Sequence, residues 1–129
     1  MQELLVTKVE RFDGTSESAS VTLTSGAGEV VAFCFPCSCE AGTSVPNHLH
    51  VLDTTKLQSP FLDDWSDDER ELAATERLHR TGEFAYAGCG KVIDSNAGLV
   101  LVQGFVFDFG EVPAGAEFVE FEVTRLDLP

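Results

Sequence analysis

Positive charge is scarce in this 129-residue chain: eight lysines and arginines stand against 22 aspartates and glutamates, a formal net charge of −14 at pH 7. A surface of that sign repels phosphate backbones and anionic lipid headgroups, so direct binding to nucleic acid or membrane is not expected. A basic or cationic protein is the expected partner. Long apolar runs are missing too. The longest, 99–102 followed after Gln103 and Gly104 by 105–107, falls far short of the ~18 residues of a membrane span. The N-terminal MQELLVTKVERF lacks the basic, apolar and small-residue regions of a secretory signal, and a cytoplasmic location is expected. Four cysteines are too few for a disulfide framework in a chain of this length, so they stay as thiols or hold metal. The length suits a single domain over 1–129 with its own core.

What the chain does have is a period of two. Apolar residues alternate between glycine-marked reversals over 4–12, 20–24, 29–35, 45–52, 83–93, 99–109 and 118–128, which predicts a mainly β protein. In 29–35, Val31, Phe33 and Phe35 share one face and Val30, Ala32 and Cys34 the other, so both sides can be covered. One window breaks the period. It opens with Ser66 three residues before Glu69, a capping box in which each side chain satisfies a free N–H of the first turn. Asp67, Asp68 and Glu69 stand at the positive end of the helix dipole and Arg77 and Arg80 at the negative end, with Gly82 to stop it. A helix is predicted over about 66–80, lying against the rest by the narrow stripe of Leu72, Thr75, Leu78 and His79.

The last three strands read as an antiparallel meander, with turn formers in DSNAG (94–98) and EVPAGAE (111–117). Gly104 interrupts an apolar strand, as at a bend or bulge. The apolar face of the closing strand moves from Val119, Phe121 and Val123 to Leu126 and Leu128, which implies a register break near Thr124 or Arg125. Both features suit a small closed barrel. The expected core is Val21, Leu23, Val31, Phe33, Leu101, Phe105, Phe107, Val119, Phe121 and Val123. The glycine-marked strand around Gly88 and Gly90, the VQGFVF stretch with Gly104 and the closing FVEFEVTRL resemble the OB-fold barrels, over roughly the last third of the chain. That resemblance implies a small antiparallel β-barrel of OB-like topology whose one helix sits between the N- and C-terminal strands and plugs one end. It also implies binding of oligonucleotide, oligosaccharide or protein on the face of the second and third strands. Lys8, Arg11, Lys56 and Lys91 are too few bases on such a surface to track phosphates.

Candidate chemistry centres on two short runs. Cys34, Cys37 and Cys39 form a C-x2-C-x-C run, and His48 and His50 share one strand face nearby. Cys37, Cys39, His48 and His50 have the composition of a tetrahedral zinc site, although the second half lacks a glycine-turn knuckle. The same residues with Asp53 are raw material for thiol-dependent catalysis. Equally, Cys34 reads as a small core residue and the histidines as partly exposed strand residues. The aspartates at 63, 64, 67 and 68 lack the alternating spacing of a calcium loop and read as a helix-capping acidic face. Trp65, amid acids in PFLDDW, is either a lid over the barrel mouth or an exposed anchor in a binding surface. Glu117, Glu120 and Glu122 are expected to project together into solvent from the closing strand, opposite Val119, Phe121 and Val123. They serve there either to discourage edge-to-edge aggregation or to meet a cationic partner. Two function classes follow. The favoured one is a non-catalytic acidic module that binds a basic protein in an inhibitor, immunity-type or nucleic-acid-mimicking role, with no cofactor. The alternative is a small zinc-binding or thiol-dependent enzyme centred on Cys37, Cys39, His48 and His50.

Overall fold

The computed structural model describes residues 3–15, 17–60 and 64–128. Residues 61–63, part of the expected Trp65 segment, lie outside the described residues. The chain runs through β1 (Glu3–Arg11), β2 (Ala19–Thr24), β3 (Glu29–Cys34), β4 (Ser44–Pro46), β5 (Leu49–Gln58), α1 (Asp67–Ala73), β6 (Arg77–Arg80), β7 (Tyr86–Asp94), β8 (Leu99–Val102), β9 (Phe105–Asp108) and β10 (Phe118–Leu128). It is a mainly β protein with one helix among the described residues. No described helix is long and apolar enough to cross a membrane.

The strands are ordered β4-β1-β2-β3-β10-β5-β9-β8-β7-β6, and β10 also pairs with β7. That extra pairing closes β10, β5, β9, β8 and β7 into a five-stranded barrel, while β4, β1, β2 and β3 continue from β10 as an outer sheet. β10 serves both. It pairs with β7 over Phe118–Val123 and with β3 at Asp127 and Leu128. Its buried residues shift accordingly from Val119, Phe121 and Val123 to Leu126 and Leu128. The face change read from the sequence is therefore the point where the strand passes from barrel to outer sheet.

Three expectations need correction. The sheet is mixed: β10–β3 and β5–β9 are parallel, because long stretches of chain separate each pair and allow the crossover that a parallel pairing needs. The helix is also shorter than the 66–80 window. Ser66 caps it, its hydroxyl accepting from the Glu69 N–H at 3.3 Å and donating to the Glu69 carboxylate at 2.9 Å, but it stops at Ala73. Arg77–Arg80 is instead the edge strand β6, held by pairing with β7 from Arg77↔Cys89 to Arg80↔Tyr86. No helix residue is buried, so α1 plugs nothing, and Leu72 of the expected packing stripe is 77% exposed. Finally, 99–109 is a hairpin. Gln103 and Gly104 both have positive φ, 47° and 82°, the two-residue turn that matches strand twist, and β8 folds back on β9.

The core is continuous through barrel and outer sheet, and Val21, Leu23, Phe105, Phe107, Val119, Phe121 and Val123 are buried in it as expected. Val31, Phe33 and Leu101 are only half-buried; their neighbours Val30, Ala32, Val100 and Val102 face inward. In these strands both faces are apolar, so alternation gives the period but not its phase.

Candidate functional site

Four surfaces carry the candidate residues. The first is the 64–76 segment. Asp64, Asp67, Asp68, Glu69, Glu71 and Glu76 surround a single base, Arg70, whose Nε donates to the Trp65 carbonyl at 3.1 Å. Trp65 is 37% exposed, and with Leu72 it gives this acidic segment two apolar side chains open to water.

The second is the closing strand. Glu117 and Glu122 are exposed, but Glu120 is half-buried and does not project freely. Its carboxylate bridges Lys56 Nζ and Arg77, each at 2.6 Å. The hydrogen bond to Glu120 also holds the Lys56 ammonium above its ordinary range. Arg77 in turn donates to the carbonyls of Ala73 and Thr75, so Glu120 anchors the C-terminal end of the helix to the barrel. Glu120→Gln is therefore expected to lower stability, because it removes the charge from both bonds at once. It should also speed amide exchange over 67–77 while leaving the barrel strands unchanged. An unaltered exchange pattern would mean the bridge does not hold the helix.

The third is a histidine group. Leu49 is buried beside Phe107 where β5 meets β9, which turns His48 and His50 outward onto the face that carries Asp108. The preceding Asn47 locks this junction: its Nδ2 donates to the Gly104 carbonyl at 2.8 Å and its Oδ1 accepts from the Val106 N–H at 3.0 Å. His48 Nε2 lies 2.7 Å from Asp108 Oδ2, and the two imidazoles stack at 5.1 Å. Burial pushes the Asp108 carboxyl up, but the His48 hydrogen bond, the Gly110 N–H and the two imidazoles outweigh it and leave it lowered. Asp108 was invisible in the sequence, because only the β5–β9 pairing brings it to residues some sixty positions earlier.

The fourth is the cysteine run. The ligating atoms of Cys34, Cys37 and Cys39 lie within 4.8 Å of one another, and those of His48, His50 and Asp108 form a second such group. The four residues expected to share one zinc site thus fall into two separate groups among the described residues, and each recruits a residue not in that foursome. Asp53, exposed and at positive φ on β5, belongs to neither. Cys89 is fully buried on β7, outside both. Burial, then hydrogen bonding to Cys37 and the charges of Cys37 and Cys39, pushes the Cys34 thiol up to about 12. Burial also raises Cys39. A thiol held as high as that of Cys34 is protonated at neutral pH and is a weak nucleophile.

A further feature escaped sequence reasoning. On the outer face Phe12, Phe33 and Phe84 form an aromatic cluster with centroids 5.8 to 6.3 Å apart, and the Arg125 guanidinium sits 4.5 Å over the Phe33 ring. Arg125 is itself held by Asp127 through two bonds of 2.6 and 2.9 Å. Searches of family models, curated proteins and solved structures find no match to this chain.

Proposed function

We propose that the protein is a non-catalytic acidic binding module of the cytosol, built on an OB-like barrel, that engages a basic protein through its 64–76 segment. The observation that carries this reading is a helix that gives nothing to the core, with Leu72 77% exposed among carboxylates. Lys8, Lys56, Arg77 and Arg125, half of the chain's eight bases, are held in ion pairs by Glu10, Glu120 and Asp127, and within 64–76 Arg70 is the one base against six acids. A cationic amphipathic surface complements it: charge speeds the encounter and sets its salt dependence, and an apolar contact at Leu72 and Trp65 adds affinity. An inhibitor, immunity or nucleic-acid-mimicking role is consistent with this mode. Glu117 and Glu122 extend the negative surface along the closing strand. A zinc or thiol enzyme at Cys37, Cys39, His48 and His50 is the weaker reading, since these four do not converge on one site.

Trp65 is the only tryptophan and reports on the segment directly. Two synthetic helical peptides of equal positive charge, one lysine–leucine amphipathic and one without leucine, serve as probes. The amphipathic peptide is expected to shift Trp65 fluorescence at about tenfold lower concentration than the other, with a tenfold change corresponding to ~1.4 kcal/mol. Leu72→Ala should abolish that advantage, and added salt should weaken both peptides. Equal affinity for the two peptides, or an advantage that survives Leu72→Ala, would overturn the reading.

A further inference from the structure

Three sulfurs converge where β3 ends. Cys34 closes the inward face of that strand, paired across to Ala19 on β2 and to Leu128 on β10, and is 5% exposed. The chain then turns, and Cys37, 8% exposed, and half-buried Cys39 come to lie beside it. The turn is braced at the Cys37 peptide, by one backbone partner and by the Arg11 guanidinium. The Cys37 N–H donates to the Glu17 carbonyl at 2.7 Å, and the Cys37 carbonyl accepts from Arg11 at 3.1 Å. Farther along, Gly42 N–H donates to the Val6 carbonyl and Val6 N–H to the Thr43 carbonyl, both at 2.8 Å, which ties the loop to β1. The sulfurs are thus held by the scaffold on both sides of the run.

The number of sulfurs and their spacing are the informative facts. A disulfide would join two of them and leave the third alone, whereas all three lie within 4.8 Å. Thiolates bound to one ion with metal–sulfur bonds of about 2.3 Å sit about 4 Å apart, so closing on an ion needs a contraction of under about an ångström. Sulfur ligands select soft or borderline ions and disfavour magnesium and calcium, which take oxygen. The chain's net charge of −14 also raises the local concentration of cations.

We propose that Cys34, Cys37 and Cys39 bind one thiophilic closed-shell metal ion, zinc(II) or copper(I), through three thiolates, with an open position on the Cys39 side. Three S–H bonds release their protons to solvent as three metal–sulfur bonds form, and no oxidation state changes. The site is independent of the acidic segment: either can fail without the other. The histidine group is excluded from it, because its ligating atoms form a separate cluster.

Cadmium(II) is the reporter, added to the full-length reduced protein under nitrogen. A single equivalent is expected to produce the ultraviolet sulfur-to-cadmium charge-transfer band. Cys39→Ser should weaken binding by more than ~100-fold, beyond the loss typical of an outer-shell partner. Because Cys39 is half-buried, this variant is expected to fold, which circular dichroism verifies. Cys37→Ser should behave alike, while His48→Ala and Cys89→Ser leave the band intact. Direct titration distinguishes the ions: one equivalent of zinc retained by the reduced protein against a zinc-binding dye assigns a zinc site, and retention of copper(I) without zinc assigns a trigonal copper site. Absence of the band, or a band of unchanged affinity in folded Cys39→Ser, would overturn the proposal.

Discussion

Phe121→Ala is expected to remove ~3–5 kcal/mol of stability, the range for deleting a buried aromatic side chain. Phe121 is fully buried in the barrel, where its ring lies 5.6 Å from Phe107 and 5.5 Å from Phe109, both in tilted or edge-on contact. These three rings come from β9, its immediate continuation and β10, two consecutive strands that are not paired with each other in the sheet, so they join across the barrel interior. Alanine would lose the transfer free energy of the ring, and the cavity could not close, because Val119 and Val123 on the same strand already have their own contacts in the core. In a domain whose total stability is about 5–15 kcal/mol, that is enough to unfold a large fraction of molecules. Urea titration provides the measurement, with Leu72→Ala, at 77% exposure, as the partner expected to change stability by under ~0.5 kcal/mol. A Phe121→Ala loss below ~1 kcal/mol would mean that the ring does not lie in the core.

Gly98→Ala is the second large effect, about 2–5 kcal/mol, and it acts through the backbone. Gly98 has φ +75°, a left-handed conformation that costs an L-residue roughly 1–2 kcal/mol. Its N–H donates to the Asp94 carbonyl and its own carbonyl accepts from the Phe109 N–H, each at 2.9 Å, so the 94–98 loop clasps the chain just after Asp108. A Cβ there would press into the backbone of Gly110 and Glu111, closer than real Cβ atoms approach. Relieving that clash adds roughly 1–3 kcal/mol. Gly110→Ala supplies the comparison, since Gly110 has nearly the same φ, +79°, with nothing within 4 Å of an added Cβ. Thermal or urea unfolding should place Gly98→Ala well below Gly110→Ala. Equal losses would show that only the backbone conformation matters and that the clasp is loose.

Local signals in this chain were legible in proportion to how local their causes are. The Ser66–Glu69 capping box starts the helix as read, since cap and first turn lie within one stretch of backbone. The end of the helix does not follow from local sequence, because Arg77–Arg80 has partners in β7 that no nearby residue announces. A partner strand can override helical propensity even in a run that holds good helix formers such as Leu78 and the two arginines. The proximity of Cys34, Cys37 and Cys39 follows from their spacing within six residues. Their separation from His48 and His50 does not, because it depends on how strands pack.

By itself the sequence determined the sign and size of the charge, the β character, the closing strand with its change of face, and which short runs hold thiols, imidazoles and carboxylates. These are properties of composition and of a period-two pattern, and neither needs the rest of the chain. Only the tertiary structure decided the phase of the two-faced strands: Val30, Ala32, Val100 and Val102 face inward, while Val31, Phe33 and Leu101 stay half-buried. It also decided that Asp108 meets His48, and that Glu120 lies between Lys56 and Arg77 instead of standing free. A strand carries its hydrogen-bonding groups along both edges and its side chains on both faces. Which edge finds a partner, and which face meets the core, is set by the free energy of the whole sheet closing on itself.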